Sequence, residues 1–328
     1  MSEWQQIEAF WTWWPTVSDR IADGVRDEQT RDQWVETITE RVKAMGDLSW
    51  EMGPGSARAH AFVVSAEGKR EERVIAEKWR SRAPVDPHFE FFSSRQVDGN
   101  LELSLELDGH DVEFASFRFD IALDETRRLA NLVIYHPAFA VMPEDVQAQG
   151  AGIFLDHLLG EDDTERWVGE VTLSADASDA SLLPSALVAA IASLRTIKED
   201  LFSVGRATQK NGKPVIATVK RGLKRIDHLL LDAHCEVHFP FAAPTDSGIC
   251  GVEESDVLNA LEDELIALLA HDAVYIGRVN ANNELVSHFH TALLGPAEAR
   301  LRSWVGQLKR EVFVDITSDP AWTILDQF

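Results

Sequence analysis

"LLLDAHCEVHF", residues 229–239, decides how the second half of the chain folds. Its polar and apolar residues alternate with a period of two, the spacing of a β-strand whose faces differ. Asp232, His234, Glu236 and His238 then share one face, and Ala233, Cys235, Val237 and Phe239 the other. Such a strand belongs to a sheet covered on one side. The alternation returns in "LVSHFHTALL", residues 285–294, with Phe289 on the apolar side and His288 and His290 on the polar one.

Outward from that strand, "PVIATVKRG" (214–222), "AVYIGRVN" (273–280) and "VFVDI" (312–316) also read as strands. Residues 253–270 and 297–309 read as amphipathic helices, carrying Leu258, Leu261 and Leu265, and Leu301, Trp304 and Leu308. The resulting order, ββαββαβ, predicts an α+β sandwich over residues 201–328: two helices on one face of a mainly antiparallel, ferredoxin-like sheet.

The first half reads as helices at 3–23, broken near Pro15, and at 30–45, closed by "MGPGS". Strands follow at "AHAFVVSAEG", "HFEFFSSRQ", "LELSLEL", "VEFASFRFDIAL" and "RLANLVIYHP". A helix over 143–159 and the strand "WVGEVTL" complete it. Most of these strands have no helix between them, which favours antiparallel pairing with helices on one face. The chain is therefore expected to hold an N-terminal α+β domain (1–175), a linker and connecting helix from Pro184 (176–200), and the ferredoxin-like domain (201–328).

Composition narrows the function classes. The 328 residues carry a formal charge of −24, which opposes binding to nucleic acid or to anionic membrane. Nineteen of those excess charges fall in residues 1–200. Two cysteines make no disulfide framework, and the opening "MSEWQQIEAFWTWWP" has neither the basic nor the apolar region of a secretory signal. These features predict a cytoplasmic protein without a bound cofactor.

Four candidate sites arise. His234, His238, His288 and His290 would suit zinc or another borderline metal. Alternate residues of one strand lie roughly 7 Å apart, however, so a neighbouring strand must supply part of any ligand set. The plainer expectation is an open, solvated sheet face. The aromatic stripe of Trp4, Phe10, Trp11 and Trp14 is expected to anchor its helix in its own core, and Trp13, off that stripe, is the tryptophan most open to solvent and so the candidate for a partner surface. Glu161, Asp162 and Asp163 in "GEDDTER" are expected in a solvated loop, available to a partner but not to acid–base work. "VGRATQKNGKP" has the wrong spacing for a phosphate loop, with Pro214 where Ser or Thr should bind magnesium, so Asn211-Gly212 reads as a hairpin turn.

"NGKPVIATVKRGL" (211–223), "VLNALEDELIALL" (257–269), "YIGRV" (275–279) and "SDPAW" (318–322) together resemble the bacterial domain of unknown function 695 family. "FWTWW", "VVSAEG", "RAPVDPHFEF", "YHPAF" and "FLDHLLGEDDTERWVGEV" resemble the region that often precedes that domain. The resemblance implies an α+β sandwich and carries no catalytic residues. In fold and acidity it is similar to the regulator of ribonuclease activity B family, small acidic proteins that bind and inhibit an endonuclease. The leading expectation is a non-enzymatic, inhibitor-like or immunity-like regulatory module that docks a basic protein such as a nuclease or toxin. The competing one is a metal-dependent enzyme using the histidine face.

Overall fold

The computed structural model describes residues 2–24, 28–197 and 201–327, and the chain divides into two compact units, Met1–Lys198 and Glu199–Phe328. The fold is α+β with mainly antiparallel sheets.

Unit 1 opens with α1 (Glu3–Trp13), whose first turn is closed by Ser2 and Gln5 in a reciprocal capping box. Pro15 sits in a single tight turn before α2 (Ser18–Gly24), and α3 (Glu28–Met45) follows. These helices bury Ile7, Phe10, Trp14, Ile21, Ile38 and Val42 against a small sheet of β1 (Ser49–Pro54), β2 (His60–Ser65) and β3 (Phe89–Phe92). "MGPGS" therefore does not close the helical segment, because Met52–Pro54 finish β1. Between β2 and β3 lies a helix the sequence pattern hides, α4 (Arg70–Arg80). It matters for topology, because β2 and β3 are parallel and a parallel pair needs a crossover connection.

A second core lies further along unit 1. A hairpin of β4 (Ser104–Leu107) and β5 (His110–Glu113) precedes β6 (Arg118–Asp124) and β7 (Leu129–Tyr135). Then come α5 (Glu144–Leu159), α6 (Glu161–Trp167), β8 (Val168–Ser174) and α7 (Pro184–Leu194). Gly160 ends α5 with φ of 80°, a left-handed conformation that glycine adopts without strain. The sheet runs β6-β7-β8, with β8 parallel to β7. Helix α7 places Leu187, Ile191 and Leu194 in this core beside Phe154. The stretch expected to link two domains thus supplies a core helix, and its residues 198–200 lie outside the described residues.

Unit 2 contains β9 (Phe202–Thr208), β10 (Pro214–Lys220), β11 (Ala233–Pro240), α8 (Val252–Leu269), β12 (Ala273–Ala281), β13 (Glu284–Thr291), α9 (Pro296–Val305) and β14 (Phe313–Ser318). Its sheet runs β14-β11-β13-β12-β10-β9, antiparallel throughout. Strands β11 to β14 with α8 and α9 make a βαββαβ unit in the spatial order fourth, first, third, second. That is the ferredoxin-like arrangement, extended past β12 by the β9–β10 hairpin. Gly212 (φ 82°) turns that hairpin, and Asn282 and Asn283 (φ 55° and 67°) turn the next.

Cys235, Val237, Phe239 and Phe289 face α8 and α9, where they pack with Leu258, Leu265 and Leu301. Burial pushes the Cys235 thiol up to about 12, so it packs as an inert apolar group. One charge enters this layer. Glu262 on α8 is buried, and accepts hydrogen bonds from Ser287 Oγ (2.6 Å), Tyr275 OH (3.0 Å) and Arg278 (2.8 Å). A buried carboxylate supplied in this way joins α8 to β12 and β13 without an unpaired charge.

Candidate metal centre

The polar face of β11 and β13 is not the open, solvated face expected. His234, His288 and His290 are all buried, His290 completely. Their cover comes from the chain itself. A turn at Arg225–His228 precedes β11, and residues 319–325 follow β14. Arg225 donates to Pro320 O (3.2 Å), and just before β11 Asp232 O accepts the Asp319 N–H (2.9 Å) and Leu231 O the Trp322 indole N–H (2.8 Å). Trp322 stacks on His290 with ring centroids 4.0 Å apart. Its backbone is left-handed (φ 58°), a strain of roughly 1–2 kcal/mol for a non-glycine residue, and the stack and the hydrogen bond hold it there.

Trp322→Phe keeps one six-membered aromatic ring but loses the pyrrole ring with its N–H, leaving Leu231 O without this donor and a small void at a buried position. Chemical denaturation is expected to show a loss of about 1–2 kcal/mol. No change would mean that the bond does not hold the C-terminal segment in place.

Strand register brings the histidines together. His234 stands opposite His290, and Glu236 opposite His288, so His288 is the diagonal neighbour of His234. His234 Nε2 lies 3.1 Å from His288 Nδ1, and His288 Nδ1 lies 3.5 Å from Glu236 Oε1. One ligand atom from each of the three lies within 4.8 Å of the other two. Two donors on a tetrahedral zinc, each about 2.0–2.1 Å from it, stand roughly 3.3 Å apart, between the two measured separations.

The other two imidazoles are engaged elsewhere. His238 contacts Glu284 through Nδ1 at 3.2 Å and Glu236 through Nε2 at 3.6 Å. His290 reaches Leu231 O with Nδ1 (3.2 Å) and Asp319 with Nε2 (3.3 Å). Asp232 accepts from Leu293 N–H (2.7 Å). The convergent set is therefore two histidines and a carboxylate, not four imidazoles.

Burial sets the charge state of the rings. It lowers the pKa of His234, and it lowers that of His288 to about 4 with help from the neighbouring charges of His234 and His238. Burial likewise brings His290 to about 4, against the opposing pull of Leu231 O and Asp319. At neutral pH the rings are uncharged, the form that binds metals. Residues 207–328 match a family of unknown function, DUF695. The DUF695 segment thus contains every member of the cluster and the C-terminal cover, while most of β9 precedes it. No curated protein and no solved structure matches the chain.

The candidates in unit 1 are placed differently from expectation. "GEDDTER" belongs to a helix, α6, rather than a solvated loop. Glu161 is buried and accepts from Ser65 Oγ (2.6 Å) and Arg95 N–H (2.7 Å). Asp162 pairs with Arg73, and Asp163 with Arg166 and Arg195. Trp13 is half-buried against Phe10 and Trp14, and the Arg41 guanidinium lies 4.2 Å over its ring. Among the described residues no helix is long and apolar enough to cross a membrane.

Proposed function

We propose that the DUF695 segment is a module that binds a divalent transition metal. Its protein donors are His234 Nε2, His288 Nδ1 and the Glu236 carboxylate, and the approach of these three groups to within 4.8 Å of one another carries the reading. Two neutral imidazoles and one carboxylate suit zinc and its first-row neighbours better than magnesium or calcium, which prefer all-oxygen shells. Three protein donors leave a coordination position for water or an incoming ligand, as in catalytic rather than structural zinc sites. This reading is preferred to docking of a basic protein because Trp13, Glu161, Asp162 and Asp163 spend their side chains on contacts inside unit 1.

Calorimetric titration with zinc, on protein stripped with chelator and free of an affinity tag, tests this. One ion per chain is expected. His234→Ala or His288→Ala is expected to weaken it at least about 100-fold, since each removes a direct ligand where loss of an outer partner alone costs 10–100-fold. Glu236→Gln should weaken it less, and His238→Ala only a few-fold. Zinc at 100 times its dissociation constant should stabilise the folded protein by about 2.7 kcal/mol. Absence of saturable binding, or equal binding by His234→Ala, would dispose of the metal centre.

A further inference from the structure

The sheet of unit 2 ends at β9, which has no strand on its far side among the described residues. The hairpin bonds fix which backbone groups face that side. Gln209 N–H donates to Lys213 O (2.8 Å) and Arg221 N–H to Leu201 O (2.6 Å). With the register unbroken between these ends, the odd-numbered residues of β9 exchange bonds with β10. The N–H and C=O groups of Phe202, Val204, Arg206 and Thr208 therefore point outward, with no backbone partner there among the described residues. Strand β9 has no proline and no bulge to close this edge. Phe202 and Val204 are 50 % and 63 % exposed, and the Phe202 ring lies 6.4 Å from that of Tyr275, whose OH reaches Glu262 on α8. On the opposite face Ser203, Gly205 and Ala207 leave a shallow trough of about 190 Å3 against Val215 and Ala217 of β10.

Charge around this edge is opposite in sign to that of the chain. Residues 202–226 hold seven lysines and arginines and no acidic residue, in a protein with 55 acidic and 31 basic side chains. Lys220, Arg221, Lys224 and Arg225 are engaged within the protein. Arg206 in the strand, and Lys210 and Lys213 at its turn, make no ion pair or side-chain hydrogen bond among the described residues. Arg206 and Lys210 are exposed. A lone edge cation would merely ward off other strands. Three uncommitted cations at one end, with Phe202 and Val204 at the other, instead give the edge a polarity that a partner can match.

We infer that β9 receives an extended acidic segment of a partner polypeptide as an added antiparallel strand. The segment's backbone bonds the outward groups of residues 202–208, and its alternate side chains lie against Phe202 and Val204 or in the trough. Antiparallel addition continues the pattern of the sheet and brings the N-terminal end of the segment to the hairpin turn. Its acidic residues belong at that end, beside Arg206, Lys210 and Lys213, where they set direction and choice of partner. Nucleic acid offers the same negative charge, but it has no strand backbone to bond the edge and is repelled by the rest of the chain.

Fluorescence anisotropy on the full chain compares two labelled octapeptides, Asp-Glu-Asp-Val-Thr-Val-Thr-Val and Lys-Arg-Lys-Val-Thr-Val-Thr-Val. The acidic one is expected to saturate at one per chain and to bind at least about 10-fold more tightly than the basic one. Val204→Pro removes one outward N–H without touching the bonds to β10, and should weaken the acidic peptide at least about 10-fold. Arg206→Glu combined with Lys210→Glu should weaken it by a similar factor and strengthen the basic peptide. Circular dichroism checks both variants; where the proline disturbs the hairpin, the charge-reversed variant decides alone. Failure of the acidic peptide to saturate, equal binding of the two peptides, undiminished binding by either variant, or tighter binding of single-stranded oligothymidylate would each overturn the assignment. So would a dimer in sedimentation that Val204→Pro dissolves, since a second copy of the chain would then occupy the edge.

Discussion

Replacing Arg73 with alanine is expected to remove about 3–5 kcal/mol from the stability of unit 1, whereas Arg73→Met should remove only about 1–3 kcal/mol. The Arg73 side chain is 2 % exposed, and three elements meet at its guanidinium. It donates to Ser93 O beyond β3 (2.7 Å), pairs with Asp162, and lies 3.5 Å from Glu165 on α6. Alanine removes the charge and leaves a hole where the stem packed. Methionine fills the hole but still leaves Ser93 O without this donor, a cost of about 1–3 kcal/mol. Asp162 is 47 % exposed and rehydrates in either variant, so its stranded charge adds little. Urea titration of both variants, followed by protection from hydrogen exchange in β2 and β7, reads the difference. Equal losses for alanine and methionine would show that the packed stem contributes nothing and that only the polar contacts of the guanidinium matter.

This pairing also shows where the sequence is legible and where it is not. Alternation in residues 233–239 and 285–291 is a local signal, and it sorts Cys235, Val237, Phe239 and Phe289 from the histidines correctly. The asparagine and glycine turns are equally local, because only such residues take positive φ cheaply. In helix α4 the apolar residues of "REERVIAEKWR" do fall on one side, but charged residues outnumber them and the buried set includes Arg73 and Lys78 beside Val74, Ala76 and Trp79, so the helix is hidden in what reads as a solvated charged stretch. Helix α6 is hidden for a related reason: its acidic residues look solvated until Arg73, 89 positions away from Asp162, is placed beside them. The candidate metal set has the same non-local character. Four histidines on one face are visible in the text, but the choice of His234, Glu236 and His288 is a consequence of register. Burial of the rings depends on "SDPAW", which folds back over β13 from the far end of the chain.

Acidification of the chelated, metal-free protein from pH 7 to pH 4.5 is expected to weaken unit 2 by roughly 3–5 kcal/mol while changing unit 1 much less. The sign follows from where protons bind. An unfolded histidine takes up its proton near pH 6.5, but His288 and His290 in the fold resist charging until about 4. Between those limits the unfolded state holds more protons, so stability is complete above 6.5 and is lost as pH falls. Each of these two rings contributes up to about 3 kcal/mol across that window, and His234 and His228, also lowered by burial, add in the same direction. Carboxylates act at lower pH. Burial pushes Asp319 up, but the N–H groups of Thr323 and Ile324 outweigh it and hold the carboxyl below its ordinary value, so its contribution fails only below about 4.

Unit 1 contains the opposing case. Burial, reinforced by Glu161, raises Asp156 to about 6. The folded state then binds more protons between about 6 and 3.8, so unit 1 gains stability on acidification where the histidines of unit 2 lose it. His136, lowered by burial, offsets part of that gain. Hydrogen exchange followed by mass spectrometry resolves the two units, with peptides from β11 and β13 set against those from β2 and β7. Protection in β11 and β13 should fall steeply from pH 6.5 to 4.5, and saturating zinc should displace the fall to lower pH by holding His234 and His288 unprotonated. Parallel profiles in the two units would mean that the buried rings charge as freely as exposed ones, and the neutral donor set proposed for the metal would go with them.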